Sequence, residues 1–119
     1  SNFLDINKLY NGKTLLMYAL EYFRYNTIIF LINNDIDIKK KDSNNNDCGY
    51  YLYNIINKKD NKTKIKIINK IYKILKDNID IKKKYDECNL EELIKKINKI
   101  EIELENDNQM INNFVINNI

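Results

Sequence analysis

Residues 12–42, GKTLLMYALEYFRYNTIIFLINNDIDIKKKD, decide how this chain folds. Thr14 is a hydroxyl suited to cap a helix, and Leu15, Leu16, Ala19, Leu20 and Phe23 follow at helical spacing, with Tyr18, Glu21 and Tyr22 across the other face or its edge. A turn at Tyr25-Asn26 leads to a second apolar run, Ile28, Ile29, Leu31 and Ile32, over about residues 26–33. A helix that short is marginal alone in water, where roughly 12 residues or more are needed, so it must lie against neighbours. Asn34-Asp35 then supply residues that tolerate the left-handed conformation ending a helix without glycine. The grammar is helix, turn, helix and a polar tail.

The unit recurs. Leu75-Lys76-Asp77-Asn78-Ile79-Asp80-Ile81-Lys82-Lys83-Lys84 rewords Leu31-Ile32-Asn33-Asn34-Asp35-Ile36-Asp37-Ile38-Lys39-Lys40-Lys41, one residue shorter. Self-similarity of this kind marks a repeat array. The second unit opens in the Asn-rich loop 43–47, with Cys48 standing where Thr14 stood, and continues through Tyr50, Tyr51, Leu52, Tyr53, Ile55 and Ile56. Over about 62–76, Ile65, Ile67, Ile68, Ile71, Tyr72, Ile74 and Leu75 share one half of a helical wheel. Lys62, Lys66, Lys70, Lys73 and Lys76 share the other.

Beyond residue 86, Asn89 is placed to cap a helix beginning at Leu90, with Glu91 and Glu92 in its positive first turn. Leu90, Leu93, Ile94, Ile97 and Leu104 fall on one face. Residues 100–105, IEIELE, also alternate as a strand would, but the helical surroundings favour helix. A break is expected at Asn106-Asp107-Asn108, followed by a short helix carrying Met110, Ile111, Phe114 and Val115. That last helix would cover the open end of the stack.

The Gly12-x-Thr14, Leu16, Ala19 and Leu31 spacing, closed by Asp37, resembles the ankyrin-repeat family. Leu4-Asp5-Ile6-Asn7 is similar to the Ala-Asp-Val-Asn that ends such a repeat. The family's Thr-Pro-Leu-His core is Thr14-Leu15-Leu16-Met17 here, without the proline or the histidine, and the second unit has lost its Thr and Ala. An ankyrin unit takes about 33 residues, whereas the self-match is offset by 43 or 44, so about ten residues are inserted, around 57–63. The resemblance implies an all-α domain over 1–119: a partial finger at 3–11, one repeat at 12–42, a second with its insertion at 43–86, and capping helices at 87–119.

It also implies a surface for other proteins, on the finger tips and the exposed edge of the inner helices. Carried over by position, the contact residues are Tyr10, Asn11, Lys13, Glu21, Tyr22 and Lys41, then Asn44, Asn45 and Asp47. Tyr10 and Tyr22 join a large apolar face to a polar tip, as interface anchors do.

Composition narrows the chemistry. The 119 residues hold two cysteines, two glycines and no histidine or proline, with a net charge of +3. Without histidine there is no imidazole base, no Ser-His or Cys-His nucleophile and no zinc set of the usual kinds. Gly12 and Gly49 stand alone, so no phosphate loop is present. The chain is read as no enzyme, with no cofactor and no metal. Cys48 and Cys88 read as free thiols of a reducing compartment. No apolar run nears the ~20 residues that cross a bilayer, so a cytoplasmic location away from membranes is expected.

Charge is unevenly placed. Residues 59–84 carry ten basic and three acidic groups, and residues 85–119 carry three and eight. The acidic end offers Asp86, Glu87, Glu91, Glu92, Glu101, Glu103, Glu105 and Asp107 as a surface that could mimic nucleic acid. Three functions follow, in order: an inhibitor, such as an immunity protein that blocks a cognate bacterial toxin, a nuclease for example; part of a general ankyrin array holding a cellular or host protein; and a weak nucleic-acid accessory using the lysine stripe. The last is disfavoured, because the only arginine is Arg24 and no aromatic residues interleave the stripe.

Overall fold

The structure, a computed structural model, describes residues 5–58 and 64–118. Among these the chain is mostly helical: α1 (Leu15–Glu21), α2 (Tyr25–Asn33), α3 (Cys48–Asn57), α4 (Ile65–Leu75) and α5 (Leu90–Asn117). A 3-10 turn at Lys76–Asn78 and a two-stranded antiparallel ribbon, β1 (Lys84–Tyr85) with β2 (Cys88–Asn89), join α4 to α5. α1 packs on α2 and on α3, and α3 in turn packs on α4 and α5.

Each of α1, α3 and α5 is entered through a short reversal and a side-chain cap. Before α1, Tyr10 and Lys13 exchange backbone hydrogen bonds around Asn11-Gly12, both at positive φ (50° and 80°), as a two-residue hairpin twisted like its strands requires. Thr14 then accepts from the Met17 amide at 3.2 Å, and its own N–H reaches the Met17 sulfur. Before α3, Asp42 and Asn46 pair across a turn with Asn45 at φ 64°, and Asp47 caps the Tyr50 amide at 3.3 Å. Before α5, the ribbon turns at Asp86 (φ 53°), and Asn89 caps Glu92 at 2.8 Å.

Upstream of each reversal sits the same aspartate turn. Asp5, Asp37 and Asp80 each accept the backbone N–H two residues on, at 2.9, 3.1 and 3.0 Å. Asp37 and Asp80 further donate their own amides to an upstream side chain, Asn7 Oδ1 and Asp47 Oδ2. The two self-similar segments thus carry the same turn, and the segment at Asp5 carries it as well.

With no proline and few glycines, helices end on left-handed residues. After α1, Phe23 (φ 53°) lets Arg24 N–H reach Ala19 and Phe23 N–H reach Leu20; after α2, Asp35 (φ 62°) lets Ile36 and Asp35 do the same to Leu31 and Ile32. The turn expected at Tyr25-Asn26 therefore falls earlier, at Tyr22–Arg24, and Tyr25 already lies in α2.

One core runs through the helices. Leu16, Leu20, Ile28, Leu52, Ile68, Ile71, Leu75 and Leu90 are fully buried, Ala19 and Leu31 nearly so, and Ile32 packs half-buried against them. These are the residues whose spacing assigned them to the interior.

Three expectations need correction. Asp47, not Cys48, takes the place of Thr14; Cys48 is the first residue of α3 and is buried. The inserted residues around 57–63 include 59–63, which lie outside the described residues, as do Lys62 and Thr63 at the expected start of α4; its helix begins at Ile65. No break occurs at Asn106-Asp107-Asn108, and in place of two closing helices α5 is one helix of 28 residues, including 100–105. Asn and Asp cost only tenths of a kcal/mol in a helix interior, and neither proline nor glycine is there to interrupt the hydrogen-bond ladder. Its second half covers nothing: from Ile102 to Asn118 every residue is exposed.

Candidate functional site

Between the tips and the exposed edges of α1 and α3 lies an open polar cleft of about 490 Å³, lined by Lys13, Glu21, Asp42, Asn44, Asn46, Tyr50, Tyr51, Asn54, Ile55, Asn57 and Lys58. Asp42 builds it. One carboxylate oxygen accepts the Asn44 and Asn46 amides at 2.9 and 2.8 Å, and the other accepts the Tyr51 hydroxyl at 2.6 Å and the Asn46 side chain at 3.4 Å. Burial alone would raise this carboxyl, but the Tyr51 hydroxyl and the Asn46 and Asn44 amides outweigh it and hold it below its ordinary value. Tyr51 is pushed up by burial and by the same bond. A loop of three asparagines, otherwise free to take many shapes, is fixed to the α3 helix through one anion.

The opposite wall is charged and ordered. Lys13 pairs with Glu21 at 3.1 Å and lies over the rings of Tyr18 (5.4 Å) and Tyr51 (5.7 Å). The Glu21 hydrogen bond raises the Lys13 pKa, against the opposing effect of burial. Along α3, Tyr50, Asn54 and Asn57 recur at i, i+4 and i+7, and so present a phenol and two carboxamides on one helix face. Carboxamides both donate and accept, which suits a peptide backbone or polar side chains.

The cleft gathers Lys13, Glu21 and Asn44 of the predicted contact residues. Asn11 and Asn45 sit exposed at the tips, and Lys41 is exposed beside them. Tyr10 is half-buried and tied locally: its hydroxyl donates to Asp5 O at 2.7 Å, and its carbonyl accepts from the Tyr18 hydroxyl. Tyr22, 66% exposed, belongs to a separate apolar groove of about 520 Å³ between α1 and α2, with Leu15, Tyr18, Ala19, Arg24, Thr27, Phe30 and Leu31. Asp47 ties two tips together, capping α3 while accepting from Asp80 N–H (3.1 Å) and the Tyr85 hydroxyl (3.4 Å). Sequence spacing missed Asp42, Asn46, Tyr51, Asn54 and Asn57; the polar i, i+4, i+7 series on an otherwise apolar helix was the signal for the last two.

The acidic residues of the chain's end are not one patch. Asp86 and Glu87 sit at the ribbon turn, and Glu91 pairs with Lys95 (3.8 Å). Glu101 accepts from Asn69 at 2.5 Å, while Glu92, Glu103, Glu105 and Asp107 point out around α5.

Neither cysteine is disulfide-bonded, and burial, helped by Asp47, pushes the Cys48 thiol up to about 12. It therefore stays protonated and lies outside the cleft lining. Among the described residues no three acidic or thiol groups cluster as a metal site, and no helix is long and apolar enough to cross a membrane. The chain matches no protein-family model, no curated protein and no solved structure.

Proposed function

We propose that this chain is an ankyrin-like, non-catalytic module that grips another protein in the Asp42 cleft, and that its sharpest role is to inhibit that protein, as an immunity protein blocks a toxin. The observation that carries the reading is the fixed cleft itself. Its tip is held by four hydrogen bonds to Asp42, and its opposite wall by the Lys13–Glu21 pair. A preformed polar wall loses little conformational entropy on binding, so its contacts translate into affinity. The capped reversal that recurs before α1, α3 and α5 supports the ankyrin likeness, because a repeat array reuses one local device.

The acidic residues of 85–119 would add steering toward a basic target such as a nuclease. Their spread along α5 makes them an aid to encounter, with the cleft as the grip.

The test uses the chain as bait beside an Asn54→Arg, Asn57→Arg variant, which fills the cleft from exposed positions and leaves the core alone. A protein retained by the first bait and lost by the second, and whose activity is titrated to zero by one equivalent of the chain, is the expected result. A partner held equally by both baits would remove the cleft from the account. A partner bound but left fully active would remove inhibition.

A further inference from the structure

We infer that the outer half of α5 is a dimerisation arm that pairs antiparallel with the same segment of a second copy. The apolar stripe that seats α5 on the body, Leu90, Ile94 and Ile97, does not stop where the body stops. It resumes on the same face through Ile100, Leu104, Ile111 and Val115, the pattern of a two-helix seam with one polar position, Asn108, between Leu104 and Ile111. The Asn69–Glu101 hydrogen bond ties α5 to α4, and beyond it every described residue is exposed. Leu104, Ile111 and Val115 are then 40, 59 and 48% exposed, and Phe114 at the stripe's edge is 68% exposed. About 24 Å of helix, sixteen residues at 1.5 Å each, therefore carries a face patterned for burial with nothing on it among the described residues.

The sequence of the arm specifies what covers it. An axis between Asp107 and Asn108 sets Ile100 against the second copy's Val115, and Leu104 against its Ile111, so the stripe is its own complement. Glu101, Glu103 and Glu105 then run beside Phe114, Asn112 and Met110 of the other copy, because α5 has no charged residue after Asp107. A parallel pair would instead lay these carboxylates beside their own copies, and like charges at such spacing repel. The α1–α2 groove is an alternative seat for the arm, but about 520 Å³ accommodates one or two side chains and not a stripe of four turns. The overlap buries on the order of 1,000 Å², the lower bound for a specific interface, so the dimer is reversible and appears in the micromolar range.

Sedimentation equilibrium of the whole chain from about 1 to 500 µM should show monomers passing to dimers, and Ile111→Lys should weaken this at least tenfold while circular dichroism stays unchanged. In a Cys88→Ser background, oxidation of mixed Leu104→Cys and Ile111→Cys chains should give mainly the mixed dimer. A monomer throughout the range would overturn the inference. So would a dimer lost on Phe30→Lys, which would put the arm in the groove, one indifferent to Ile111→Lys, which would take the stripe out of the contact, or preferential self-linking of Leu104→Cys, which would make the pair parallel.

Discussion

At Asp42 a single carboxylate decides the shape of a loop. The Tyr51 hydroxyl donates to a charged acceptor at 2.6 Å, so Tyr51→Phe should cost about 1–3 kcal/mol in urea unfolding, more than a neutral hydrogen bond would. The same anion gives stability a pH dependence whose sign is fixed. Its carboxyl is held below its ordinary value in the fold, so the unfolded chain takes up the proton first as pH falls. The contribution is therefore complete above about pH 4 and is lost as pH falls through the lower folded value. Unfolding midpoints measured from pH 6 down to 2 should show this fall, and Asp42→Asn should flatten it while lowering stability at neutral pH. Gly12 is constrained by its backbone. At φ 80° a side chain is strained, and a Cβ would lie 2.8 Å from Ser43 Oγ, so Gly12→Ala should destabilise by about 1–2 kcal/mol.

Among the elements, much was written in the spacing of apolar residues, and the failures have physical causes. Leu16, Leu20, Ile28 and Leu31 announced α1 and α2 because an apolar face repeating every three or four residues can only be buried by a helix. Leu31→Ala should cost about 2–5 kcal/mol, read from the unfolding midpoint, because Leu31 is 4% exposed within a continuous core. The cap at Asn89 was equally legible, since a side-chain acceptor followed by two acids has a direct electrostatic reason to start a helix. The α3 cap lies one residue before the position that the repeat alignment gives it, because Asp47 offers a carboxylate acceptor and caps as well as threonine does. Asp42 stayed hidden for a different reason. Its importance comes from Tyr51, nine positions on, and no local pattern reports a bond that forms only when a turn folds back on its helix.

The whole molecule measures 65 × 36 × 23 Å, long for 119 residues because α5 outruns the body it helps to build. That length was lost in the sequence reading, which took Asn106-Asp107-Asn108 for a break. A polar triplet interrupts an apolar stripe without interrupting the backbone, so the pattern of burial changed while the helix did not. One helix thus holds two energetic regimes, and two isoleucines on its stripe separate them. Ile97 is 5% exposed between helices, whereas Ile111 is 59% exposed on the arm. At about 1 µM, below the expected association range, Ile97→Ala should cost about 2–5 kcal/mol and Ile111→Ala less than about 0.5. The measurement is the urea midpoint of each variant against the parent chain. Equal losses would mean that the arm is packed on its own body. A loss at Ile111 that emerges only as concentration rises would instead place its burial between two copies, since stability gained from association depends on the concentration of the protomer.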